Sequence, residues 1–124
     1  IGTNPRVSQL SFLSTPDPVG TLRAARRRGA RLVFVNPLAL DDLADVGETV
    51  QIRPDTDAYL LAAMIHEIDR DPDLGFDERA LRNVRGIDRL RAFVARHPAE
   101  RVAAVVGTPA ERIRAMARDF ARAE

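Results

Sequence analysis

Six residues suited to a polar ligand stand in three short groups: Gly2 and Asn4, then Asn36, then Asp55, Thr56 and Asp57. Each group follows a short apolar segment. Gly2 and Asn4 can present backbone N–H groups to a pyrophosphate, or simply form a turn where a strand passes into a loop. Asn36 carries an amide that can meet a ribose hydroxyl or the edge of a purine, and it equally suits the turn before Pro37. Asp57 offers two acceptor oxygens side by side, the complement of the N1–H and amino group of guanine. The same Asp55-Thr56-Asp57 run can instead cap the helix that follows and complement its dipole. The residues alone leave both readings open.

Other chemistries lack their parts. The chain has no cysteine, so it cannot by itself hold an iron–sulfur cluster, a disulfide or a thiolate zinc site. No carboxylate–histidine spacing around His66 or His97 suggests a metal site, and both read as structural, with Met64 and Phe93 as core. Ser8, Ser11 and Ser14 have no neighbouring histidine to activate them, so nucleophilic catalysis has no support. There is no G-x-G-x-x-G and no P-loop lysine, which argues against an unrelated nucleotide-binding α/β domain. Nineteen basic side chains against eighteen acidic ones give a formal net charge of +1, too little for nucleic acid as the main partner. The arginines at 23, 26, 27 and 28 read as a solvated helix face with cations near its C-terminal end.

The elements that would position these groups follow from pattern. Ile1 reads as the last residue of a strand, and the chain, which opens without Met, reads as a piece of a longer protein. Gly2 to Asp17 is a connection in which Val7, Leu10, Phe12 and Leu13 pack locally. The spacing predicts a helix over 18–28, with Pro18 in its first turn and Gly29 as its stop. Arg31 to Val35 reads as a strand buried on both faces, as in a parallel sheet. A short helix or loop over 38–46, capped by Asp41, leads to a second strand over 49–52. The helix predicted over 58–69 is apolar nearly all round and should be heavily buried. Shorter helices follow over 77–84 and 87–97. Two more open at Pro98 and Pro109, with Thr108 and Glu111 as a capping box. The order predicts a single domain over 1–124: a three-layer α/β/α, Rossmann-like, mostly parallel sheet with a helical C-terminal part. Ligands on such sheets sit beyond the carboxyl ends of the strands, where all three polar groups fall. No apolar run approaches the roughly 20 residues of a membrane span. Nothing in the composition chooses between cytoplasm and periplasm.

Taken in order, Gly2-Thr3-Asn4-Pro5, the run from Gly29 to Pro37, Ile52-Arg53-Pro54-Asp55-Thr56-Asp57, the small-residue helix after it and the tail from Pro98 to Ala121 resemble the molybdopterin oxidoreductase family, which includes DMSO reductases, formate dehydrogenases and nitrate reductases. The resemblance covers nearly the whole chain. It implies one domain binding the guanosine-diphosphate part of a molybdopterin guanine dinucleotide within a molybdenum or tungsten oxidoreductase. Gly2, Thr3, Asn4 and Pro5 would lie in the first cofactor loop, Asn36 and Pro37 in the second, and Pro54, Asp55, Thr56 and Asp57 in the third. The metal ligand, any iron–sulfur cluster and the substrate pocket would lie in the remaining domains of the parent or in electron-transfer subunits, and this piece alone would not be catalytic. Two motifs depart from the family pattern, at three positions. Asn36-Pro37-Leu38 stands where Asp-Pro-Arg is usual, and Asp55 replaces the glycine of Arg-Pro-Gly-Thr-Asp. These departures leave open a cofactor-less structural domain of the same fold, as in the large peripheral-arm subunit of respiratory complex I.

Overall fold

The computed structural model describes residues 1–7 and 15–123. Ser8, Leu10, Ser11, Phe12, Leu13 and Ser14, named above, lie outside the described residues. By internal contact the chain divides into two compact units, Ile1–Ile52 and Arg53–Glu124.

In the first unit, helix α1 (Pro18–Arg27) opens on Asp17, whose carboxylate accepts from the Gly20 N–H at 2.8 Å. The proline in the first turn needs no N–H there. Strand β1 (Val33–Asn36) follows, then a single 3-10 turn (Asp41–Leu43) and strand β2 (Glu48–Gln51). The strands run parallel, with Val35 opposite Val50. Phe34 and Val35 are buried, as the apolar run demands. The expected cap by Asp41 does not form: Leu40 holds the cap position, without a side-chain bond. Val19, Phe34, Leu40, Leu43 and Val46 make the core of this unit, with Leu22 and Leu32 against it. Gly47 is required by close approach, because a Cβ there would stand 2.6 Å from the Leu32 carbonyl oxygen.

The second unit is helical: α2 (Asp57–Arg70), α3 (Glu78–Leu81), α4 (Ile87–Val94), α5 (Ala99–Val106) and α6 (Ala110–Ala121). Helix α2 packs against α4, α5 and α6. Its Leu60 and Ala63 are buried, as are Val102 and Val106 of α5 and Ile113 and Ala117 of α6. Each fully enclosed leucine or isoleucine contributes about 1.5–3 kcal/mol by burial. The expected heavy burial of α2 holds for Leu60, Ala62, Ala63 and Ile68 but not for Tyr59 and Leu61, which flank Leu60 in sequence, point to other faces of the helix, and are 45% and 43% exposed.

The capping box expected at Thr108 is also corrected. Pro109 occupies the cap of α6 without a side-chain bond, and Glu111 bonds Arg114 at 2.5 Å instead. Pro98 likewise caps α5 without a side-chain acceptor. The missing acceptor comes from another helix: Glu67 of α2 accepts from the Ala99 N–H at 3.0 Å and faces Arg114 Nε at 3.3 Å. Arg114 also pairs with Glu100. One arginine thus ties α2, α5 and α6 together.

Candidate functional site

The first loop begins beside β1. Gly2 donates its N–H to the Val35 carbonyl at 2.7 Å. The carbonyls of Leu32 and Asn36 accept from Glu48 and Ile52 on the β2 side. Carbonyls alternate along a strand, so Val35 bonds at the opposite edge and β1 is flanked on both sides. Ile1 and Gly2 therefore lie where the end of a further strand was expected, although they form none themselves. The Gly2 N–H is thus engaged within the unit, as the turn reading of this loop requires. After Gly2 (φ +70°), Asn4 accepts from the Arg6 N–H through its side-chain oxygen at 2.9 Å, and from the Val7 N–H through its carbonyl at 3.1 Å. Pro5 is buried, Thr3 is half-buried, and Arg6 anchors the turn by its ion pair with Asp42 at 2.9 Å.

The second loop repeats that device. Asn36 ends β1 with its side chain buried, and its Oδ1 accepts from the Leu38 N–H at 2.9 Å. Gln51, the last residue of β2, donates to the Pro37 carbonyl at 3.4 Å. Both Asn-Pro pairs thus close the same turn, in which a side-chain oxygen holds the N–H two residues on. The oxygen of Asn36 serves the turn and is not turned outward toward a ligand; a carboxylate in its place would accept the same bond. Leu38, presented just beyond, is 71% exposed.

The third loop, over 53–56, belongs to the second unit. The Arg53 backbone N–H donates to the Val106 carbonyl at 2.8 Å, and its guanidinium donates to the Ala104 carbonyl at 2.5 Å. A cation at the carboxyl end of α5 satisfies the orphan carbonyls there and complements the dipole. Sequence reasoning passed over this role, although the Arg-Pro pair was in view. Pro54 and Asp55 are exposed. Asp55 has φ +63°, the only positive φ among the described non-glycine residues. The residue standing in the place of the usual glycine thus keeps the left-handed backbone for which glycine is suited. Thr56 precedes α2 at the cap position, but its hydroxyl donates backward to the Arg53 carbonyl at 2.6 Å and gives the helix no side-chain cap. Asp57 is the first helical residue, half-buried, and among the described residues no donor holds its carboxylate.

His97 shares its Nδ1 with the Phe93 carbonyl at 2.9 Å, with its ring 4.6 Å from that of Phe93. His66 borders an open hollow with Asp69, Arg70 and Arg91. Arg23 bonds Asp45 at 2.6 Å, and this bond holds the Asp45 carboxyl below its ordinary range and raises the guanidinium of Arg23. Arg27 and Arg28 are exposed, as a solvated helix face requires.

No protein-family model matches the chain. Over 107 residues it is 32% identical to a dimethyl sulfoxide/trimethylamine N-oxide reductase of Cereibacter sphaeroides, an overlap of 80% of this chain and 13% of that protein. Acetylene hydratase from Pelobacter acetylenicus matches its backbone with a TM-score of 0.69 at 28% identity, over 79% of this chain and 13% of that one. The chain belongs to the molybdopterin oxidoreductase family. It is similar to about an eighth of the length of each of these relatives. Its helix-rich α/β fold with a small parallel sheet is the fold expected of such a domain. Among the described residues no helix is long and apolar enough to cross a membrane.

Proposed function

We propose that this chain holds the guanosine-diphosphate part of a molybdopterin guanine dinucleotide, as one domain of a molybdenum- or tungsten-dependent oxidoreductase. The observation that carries the reading is the Asp57 carboxylate. The competing role for Asp55-Thr56-Asp57 is to cap α2, yet Thr56 makes no such bond and Asp57 already lies inside the helix. Its two oxygens stand at the positive end of α2 and are available to the paired N–H donors of a guanine edge. The left-handed Asp55 backbone supports the same reading, because the loop keeps its path despite the change from glycine.

In this role the chain does no chemistry of its own. A bound cofactor supplies the metal at which electrons, and in many members an oxygen atom, are transferred. Asp57 would select guanine, Thr3, Asn4 and Pro5 would shape the first loop, and Asn36 and Pro37 the second. The metal ligand and substrate pocket would be supplied by other parts of the parent protein. The two relatives fit this division: one is named for reducing dimethyl sulfoxide and trimethylamine N-oxide, the other for hydrating acetylene, although both are similar to this segment.

The decisive variant is Asp57→Asn in the full-length protein. An amide puts a donor where guanine needs an acceptor. Loss of one charge-assisted bond is worth about 1.5–3 kcal/mol, roughly one to two decades of affinity. We expect reduced guanine nucleotide content per chain at an unchanged thermal midpoint. Unchanged content would overturn the assignment. The cofactor-less reading draws on one observation, the engagement of the Gly2 N–H by Val35. It predicts no guanine nucleotide in the wild-type protein at all.

A further inference from the structure

The last turn of α5 leaves the carbonyls of Ala103, Ala104, Val105 and Val106 without partners inside the helix. The Gly107 N–H serves Ala103 at 2.8 Å. One residue meets the other three. Arg53 donates its backbone N–H to Val106 at 2.8 Å and its guanidinium to Ala104 at 2.5 Å, with Val105 at 3.5 Å. Its own carbonyl is held by the hydroxyl of the buried Thr56 at 2.6 Å. The Thr56 carbonyl then accepts from the N–H groups of Tyr59 and Leu60, both at 3.1 Å, and so opens α2. Arg53 therefore joins the carboxyl end of α5 to the amino end of α2, all within the unit Arg53–Glu124. A helix end alone does not need this arrangement, because Arg53 is exposed and water can serve the same carbonyls at small cost. Water cannot fix where the next residues lie. Asp57 follows Thr56 directly, and among the described residues no donor holds its carboxylate, so only the backbone sets its position.

We infer that Arg53 is a positioning residue for base recognition: braced on α5, it holds the third loop so that Asp57 meets both N–H donors of a guanine edge together. This rests on the Asp57 reading above and adds to it the residue that sets the geometry. Accepting the N1–H and the amino group at once requires both carboxylate oxygens in the plane of the base. A displacement of about 1 Å takes one oxygen out of hydrogen-bond reach and leaves a single bond. What Arg53 controls is therefore the preference for guanine over a base that lacks the amino group.

The test uses the full-length protein, freed of nucleotide and titrated by calorimetry with GDP and with inosine diphosphate, which keeps the N1–H and lacks the amino group. Wild type should prefer GDP by about ten- to hundredfold, the worth of one charge-assisted bond. Arg53→Met keeps an unbranched stem beside Gly107 and removes the guanidinium donors, and its preference should fall below about threefold. Arg53→Lys keeps a cation that can serve one carbonyl and should lie between the two. Thr56→Val, of the same shape without the hydroxyl, cuts the tie at its other end and should also lower the preference, so the outcome does not depend on Arg53→Met folding. Because water replaces the lost bonds at an exposed site, the midpoints of the Arg53 variants should fall by no more than about 5 °C. Arg53→Met or Thr56→Val with the wild-type preference for GDP would overturn the inference and leave the Asp57 reading standing. Equal loss of affinity for both nucleotides would overturn it too, by showing a general structural role. A wild-type protein that takes up no GDP, or binds both nucleotides alike, would overturn the Asp57 reading itself, and the inference with it.

Discussion

Asp55 offers a direct measure of how strictly the third loop is built. At φ +63° it occupies the left-handed region, which costs an ordinary L-residue about 1–2 kcal/mol. Aspartate stands at the low end of that range, because its short polar side chain can bond locally. Asp55→Gly removes the strain but returns about 0.5–1 kcal/mol of freedom to the unfolded chain. The two effects offset, so the glycine variant should lie within about 1 kcal/mol of wild type. Asp55→Ala keeps a Cβ and loses the carboxylate, for a cost of about 1 kcal/mol, and Asp55→Val adds β-branching and should cost about 2 kcal/mol. For a chain of this size 1 kcal/mol corresponds to roughly 3–5 °C in thermal midpoint. Thermal unfolding followed by circular dichroism should rank the variants Gly and Asp together, then Ala, then Val. A valine variant as stable as the glycine variant would refute the argument, since it would mean that the loop does not need the left-handed turn. If the ranking holds, Asp55→Gly should also keep wild-type guanine nucleotide content, because the path leading to Asp57 is preserved.

Gly107→Ala should destabilise the protein by about 1–2 kcal/mol. Gly107 follows α5 at φ +82°, and an added Cβ would stand 3.3 Å from Arg53 Cγ, against the side chain that holds the carboxyl end of α5; a thermal midpoint within 1 °C of wild type would contradict this. Asp45 should titrate below the ordinary carboxylate value of about 3.9, because Arg23 bonds its charged form. A depressed folded-state value means that the pair's contribution is present above the ordinary value and is lost as pH falls through the folded one. An NMR titration of the Asp45 carboxyl checks this, and in Arg23→Gln the carboxyl should return to its ordinary range.

Some of this was legible in the sequence and some was not, and the division follows from how far apart the interacting residues lie. Helix α1, strand β1 and the parallel pairing came from local signals: Pro18 and Gly29 at the ends of one element, an unbroken apolar run in the next. The cap of α6 was misread, and that of α5 was not read at all. Thr108 with Glu111 matches the capping pattern, yet Pro109 starts the helix and Arg114 takes the glutamate. The acceptor that α5 needs comes from Glu67, thirty-two positions from Ala99, and no window on the sequence joins those two. The exposure of Tyr59 and Leu61 was hidden for the opposite reason, because an apolar helix does not show which of its faces will find partners. The site divides in the same way. Asn4 and Asn36 stood out as polar residues before proline, and both proved to hold the N–H two residues on. That bond needs only a side-chain oxygen, so asparagine in place of the usual aspartate is a small change at this position. The larger change lies two residues later. An apolar Leu38 stands where an arginine is usual, with its N–H held by Asn36 and its side chain exposed.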